Sequence, residues 1–122
     1  VQELPPSEIS ALCGSPSILI VDVRKADRYA EGHIADAVHL PCSAPGKAAD
    51  DVISEHLGGK SAVVVYGDST QDARNVADSL AQRAKQPGLR VIAMVGGFSK
   101  WSEAGFACES GDCAECSHKV SR

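Results

Sequence analysis

The chain has 122 residues, 43% of them apolar and 23% charged, with a formal charge of −4 at neutral pH. These proportions are those of one ordinary globular domain and exclude a disordered, collagen-like or coiled-coil chain. No run reaches the ~18 apolar residues of a membrane-spanning helix. An acidic chain with only 4% aromatic residues lacks the basic footprint of a nucleic-acid binder. Another protein is the expected partner, not nucleic acid. The chain opens on Val1, and the expectation is that a segment has been removed ahead of it. The cytoplasm is the expected compartment, with an exported location as the alternative.

Taken in chain order, Ser7 caps a short helix over residues 8–13 that Gly14 closes. Residues 18–23, ILIVDV, form a continuous β-branched run, the pattern of a strand buried on both faces. AVHL, residues 37–40, is a weaker strand, and Ala49, Val52, Ile53, His56 and Leu57 give a helix closed by Gly58-Gly59. AVVVY, residues 62–66, is a second buried strand. Ala73, Val76, Ala77, Leu80, Ala81 and Ala84 then repeat at helical spacing. Ser69 and Asp72 form a capping box at the start of that helix, and Pro87-Gly88 stops it. VIAMV, residues 91–95, is a third buried strand, and Phe98 and Trp101 mark a short helix over 98–104. From about Ala107 no apolar period remains. Residues 1–107 read as one domain and residues 108–122 as a cysteine-rich tail.

Strands alternating with helices specify an α/β fold with a mostly parallel sheet. Ligands in such sheets bind beyond the carboxyl ends of the strands, which singles out the loops after Val23, Leu40, Tyr66 and Val95. Asp22 and Arg24 end a buried strand, where an ion pair pins the following loop. Gly32-His33-Ile34 reads as a tight turn, with Ile34 in the core and His33 a hydrogen-bonding turn residue rather than a base. Gly96-Gly97 lets the backbone pass from strand to helix, and Trp101 is core packing.

Three stretches together resemble the rhodanese superfamily of sulfurtransferases. They are DVRKADRYAEGHIADAVHLP (22–41), AVVVY (62–66) and VGGFSKWSEAGF (95–106), in the family's order and spacing. The resemblance implies a rhodanese-like α/β domain: a mostly parallel sheet of about five strands with helices on both faces. It also implies that the loop after AVVVY is the active loop. In the family that loop opens with a cysteine whose thiolate takes up a sulfur atom. Backbone N–H groups and a helix N-terminus stabilise the anion, and an arginine five or six residues on closes the loop.

This sequence departs from that pattern. The loop reads Gly67, Asp68, Ser69, Thr70, Gln71, Asp72, Ala73, Arg74. Gly67 stands where the family has its thiol. A register shifted by one puts Asp68 there and Arg74 at the longer arginine spacing. Ser69 serves as a helix cap, so the helix starts early and leaves little cradle. Asp68 and Asp72 lie where the family binds an anion, and a carboxylate about 5 Å from one costs roughly 3 kcal/mol at an effective dielectric of ~20. Gly67 is also expected to hold a positive φ that a cysteine would strain.

The five cysteines are uneven. Cys13 is structural. Cys42, after the weak strand, is the one alternative thiol in the body. Cys108, Cys113 and Cys116 with His118 crowd the tail, and Cys113-x2-Cys116 has the spacing of two zinc ligands. No cofactor is expected in the body, with zinc at the tail cluster the alternative. Three functions follow. The first is a non-catalytic rhodanese-like module for interaction or regulation. The second is a sulfurtransferase, or persulfide carrier, using Cys42 or a tail cysteine. The third is a zinc or redox function centred on the tail.

Overall fold

A computed structural model of the chain describes residues 1–12, 15–34, 37–40, 47–84, 88–105 and 108–109. Five strands form one sheet: β1 (Gln2–Leu4), β2 (Ile18–Asp22), β4 (Val38–His39), β5 (Ala62–Tyr66) and β6 (Arg90–Met94). Their spatial order is β1-β6-β5-β2-β4, and every pairing is parallel. A two-stranded antiparallel ladder lies apart, pairing β3 (His33–Ile34) with β7 (Cys108–Glu109). Five helices accompany the strands among the described residues: α1 (Pro6–Leu12), α2 (Ala26–Glu31), α3 (Lys47–His56), α4 (Thr70–Ala84) and α5 (Gly97–Glu103). None is long and apolar enough to cross a membrane.

The central strands are apolar except at Asp22 and Arg90 on their ends, because both of their faces are covered. Alternate side chains point to opposite sides, so each strand feeds two cores. Leu19, Val21, Val63, Val65 and Ala93 face α3 and α4, where Val52, Ala73, Val76, Ala77 and Leu80 meet them. Ile20, Val64, Tyr66, Ile92 and Met94 face the other way, onto Ile9 of α1, Ile34 and Trp101 of α5. Burying a Leu, Ile or Val in either layer is worth about 1.5–3 kcal/mol. Trp101 is buried and fills the second core, as expected of it.

The expected strands and helices are present, within a residue or two at their ends, but Ser7 lies inside α1 rather than capping it, because the Glu8 and Ile9 N–H groups donate to the Pro5 carbonyl. The expected stops at Gly14 and Pro87 lie outside the described residues. The sheet's fifth strand is β1, which the sequence did not announce. It is a three-residue edge strand whose Gln2 and Glu3 are exposed, so it carries no apolar signal. Helix α2 is likewise short and polar, ADRYAE, with Tyr29 its one half-buried aromatic. At its start the cysteine-rich segment is tied to the body by backbone pairing of Ile34 with Cys108 and His33 with Glu109.

Candidate functional site

The carboxyl ends of β2, β5 and β6 open on one side of the sheet, and the loops there build the site. The loop after β5 is three residues long, Gly67 to Ser69, before α4 begins at Thr70. Ser69 Oγ accepts the backbone N–H of Asp72 at 3.2 Å, satisfying one of the otherwise unpaired donors of the first turn. The early helix start expected from the capping box is thus present.

That loop is stitched to the turn after β6. The Phe98 N–H donates to Gly67 O at 2.8 Å, and the Gly96 N–H donates to Thr70 Oγ1 at 2.8 Å. Gly96 and Gly97 hold φ of 95° and 74°. These left-handed angles favour glycine and let the chain turn from β6 into α5. Gly67 itself is not among the positive-φ glycines, which corrects the expectation of a left-handed residue there. Its constraint is space. A Cβ at Gly67 would lie 2.9 Å from Val23 Cγ2 and 3.1 Å from Asp72 Cβ.

Behind the loop sits a buried polar network. Arg24 and Asp22 pair at 2.8 Å between Nη2 and Oδ2, with both groups buried. Arg24 Nε also donates to the Asp22 carboxylate, and the Arg24 backbone N–H donates to Asp22 Oδ1 at 2.8 Å. Arg24 Nη2 reaches the Gly32 carbonyl as well, which ties the start of β3 to the end of β2. Tyr66 O–H donates to Asp22 Oδ2 at 2.6 Å and accepts the Ile34 N–H at 2.9 Å. Burial, and then the Asp22 charge beside it, push the Tyr66 hydroxyl far above the ordinary tyrosine range. Burial works against the Arg24 charge, yet the hydrogen bonds and charge of Asp22 outweigh it and raise the guanidinium further. The guanidinium carbon lies 4.1 Å from the Phe98 ring centroid, a cation–π contact that holds both side chains in place.

A cavity of about 360 Å³ opens over this network. Arg24 and Phe98 form its inner side. Arg28, Glu31 and Gly32 belong to the α2 side, Ser99 and Ser102 to α5, and Asp68 to the loop. Arg28 Nη2 and Asp68 Oδ1 pair at 3.3 Å, with both side chains about half exposed.

The remaining candidates divide between the site and the scaffold. His33 is buried; its Nδ1 bonds the Tyr29 carbonyl at 2.8 Å, and its ring stacks on Tyr29 at 3.9 Å. His39 stacks on Tyr29 as well, and its Nε2 bonds the Arg24 carbonyl at 2.7 Å. Arg74 pairs with Glu3 of β1 at 3.0 Å and does not line the cavity. Gln71 bonds Asn75 one turn along α4, and Ala73 is buried against the sheet. Cys13, Cys42, Cys113, Cys116 and His118 lie outside the described residues. Among the described residues no group of three or more His, Cys, Asp or Glu side chains is placed to hold a metal ion. The sequence reading did not single out Arg28, Glu31, Tyr66 or Phe98 for this site. All four lie in the quoted family stretches, but only the folded loops bring them together.

Residues 5–104 match the family model of the rhodanese-like domain. This chain belongs to that family. It is 29% identical over 108 residues to the thiosulfate sulfurtransferase GlpE of Actinobacillus pleuropneumoniae, covering 88% of this chain and 93% of the relative. It is 36% identical over 88 residues to the GlpE of Coxiella burnetii, covering 69% of this chain and 71% of the relative. A rhodanese-like domain from Anabaena shares the fold with a TM-score of 0.71 at 20% identity, over 94% of this chain and 83% of that one. A thiosulfate sulfurtransferase from Pseudomonas aeruginosa gives the same TM-score at 24% identity, over 90% of this chain but 19% of that one. The expected rhodanese-like α/β fold and the sulfurtransferase homologues are therefore established.

Proposed function

We propose that this rhodanese-like domain is a non-catalytic module that works by binding, with another protein as its partner. The observation that carries this reading is the space at Gly67. A sulfur carrier here needs a side chain pointing into the loop. Yet Val23 Cγ2 and Asp72 Cβ stand 2.9 and 3.1 Å from where even a Cβ would be. A side chain at this place would have to push the Val23 methyl aside, and that crowding adds to the missing thiol in support of a non-catalytic reading. The three-residue loop before α4 supports the same reading, because a short loop offers few free N–H groups to ring a persulfide. The α5 and α2 walls remain well formed around the cavity, and that suits recognition.

The test is sulfur loading. The purified chain should show no thiosulfate:cyanide transfer above a thiol-only background, and its intact mass should be unchanged after thiosulfate. Turnover abolished by Cys42→Ser, or by Cys113→Ser, would overturn the reading.

A second reading keeps the chain a sulfur carrier through Cys42 or a tail cysteine. It is favoured by the GlpE relatives named as thiosulfate sulfurtransferases. It is favoured too by the pairing of Cys108 with Ile34, two residues beyond the Gly32 cavity wall. Peptide mapping of any added sulfur separates the two.

A further inference from the structure

The mouth of the cavity holds a charge pair that lies outside the buried Asp22–Arg24–Tyr66 network. Arg28 comes from α2 and Asp68 from the loop after β5, 40 positions apart in sequence, and they meet at 3.3 Å between Nη2 and Oδ1. Among the described residues, Arg28 is the only arginine at the mouth of this cavity. The cavity's other arginine, Arg24, is consumed by Asp22 and the Gly32 carbonyl. A small oxyanion entering here would depend on Arg28, with Ser99 and Ser102 across the cavity offering hydroxyl donors. Asp68 already sits on that guanidinium. A second carboxylate, Glu31, lies beside it on the same wall and makes no ion pair among the described residues.

We infer that Asp68 is the specificity determinant of this cavity: its carboxylate caps Arg28 from within the chain, excludes tetrahedral oxyanions and reserves the cavity for uncharged or cationic groups. The inference rests on the reading of the loop as a non-catalytic one and deepens it. Two effects act together. An incoming dianion must displace Asp68 from Arg28, and it must then sit within a few ångströms of that same negative charge. Neither penalty exists once residue 68 is uncharged. The pair is half exposed, so solvent and salt reduce each penalty well below its buried value.

Sulfate titration of the full chain tests this, followed by amide NMR shifts of residues 28, 68 and 98, with sodium chloride at matched ionic strength as the control. The wild type should show no saturable response to sulfate beyond that of chloride. Asp68→Asn, which keeps the shape of the side chain, should bind sulfate at least tenfold more tightly, about what one partly screened unit charge supplies. Asp68→Ser should do the same, which guards against a local effect of the amide. Adding Arg28→Gln to Asp68→Asn should abolish the gain. Sulfate binding by the wild type equal to that of Asp68→Asn would overturn the inference. So would no gain in either variant, or a gain that survives the loss of Arg28. A thiosulfate arm separates this from the functional reading. Asp68→Asn should bind thiosulfate without turning it over, whereas turnover by the wild type would contradict the non-catalytic role.

Discussion

Gly97 packs so closely on Asp68 that a Cβ added at Gly97 would lie 2.8 Å from the Asp68 carbonyl carbon and nearer still to its oxygen. The contact joins the turn after β6 to the loop after β5. With the Phe98 N–H to Gly67 O bond at 2.8 Å, it fixes the two walls of the cavity relative to each other.

Gly97→Ala should therefore destabilise the fold by about 2–4 kcal/mol, combining a left-handed φ with a clash against backbone. Gly105 supplies the control. Its φ is 80° but nothing lies within 4 Å of an added Cβ, so Gly105→Ala should cost only about 1 kcal/mol. Urea unfolding of the two variants gives the comparison. Equal losses would show that φ alone decides and that the close approach is unimportant.

Tyr66→Phe should cost about 1–3 kcal/mol, because it strands the buried Ile34 N–H and takes one donor from Asp22. It should also change the alkaline limb of stability. The Tyr66 hydroxyl is raised far above its ordinary value of 10.0. Above about pH 10 the unfolded chain gives up this proton and the native chain keeps it, so stability falls as pH rises. The loss from this group is about 1.4 kcal/mol per pH unit. Urea midpoints taken up to strongly alkaline pH should show that slope in the wild type and a shallower one in Tyr66→Phe.

Much of the fold was legible because its strands are buried on both faces. ILIVD, AVVVY and RVIAM each show it in their composition, and Ala73, Val76, Ala77 and Leu80 show their face by spacing. Strand β1 was not legible, since an exposed edge of three residues has nothing to bury. The candidate site was legible as a place, the loop after Tyr66, but only partly as chemistry. That Gly67 lacks a thiol is plain in the sequence. That its surroundings are crowded depends on Val23, which follows β2 far away in sequence. Arg28 meets Asp68 across 40 positions of sequence, and no local period predicts such a contact.

Gly67→Cys alone should not restore efficient sulfur transfer. Crowding by Val23 Cγ2 and Asp72 Cβ should lower stability by about 1–3 kcal/mol. The Asp68 and Asp72 carboxylates would also raise the new thiol's pKa and repel an anionic donor. Adding Asp68→Ser and Asp72→Ala should raise transfer over the single variant, by a margin that shrinks with salt. Steady-state transfer rates check this. A single variant as active as an ordinary rhodanese would show that only the thiol was missing.

Truncation after Ala107 removes β7 and with it the two-residue ladder on His33–Ile34. Ile34 keeps its place in the second core and its N–H keeps the Tyr66 oxygen, so the domain should stay folded. The melting temperature should drop by no more than about 4–8 °C, the shift of roughly 1 kcal/mol in a domain near this size. A collapse of the cooperative transition would show that the ladder holds the body together.

The most direct test of the non-catalytic account is the intact mass of the purified, reduced chain after incubation with thiosulfate, with every cysteine-containing peptide mapped. The account predicts an unchanged mass and no cyanide-dependent release of thiocyanate above the thiol-only background. One added sulfur on Cys42 or on a tail cysteine, lost again when cyanide is supplied, would contradict it and make the chain a sulfur carrier.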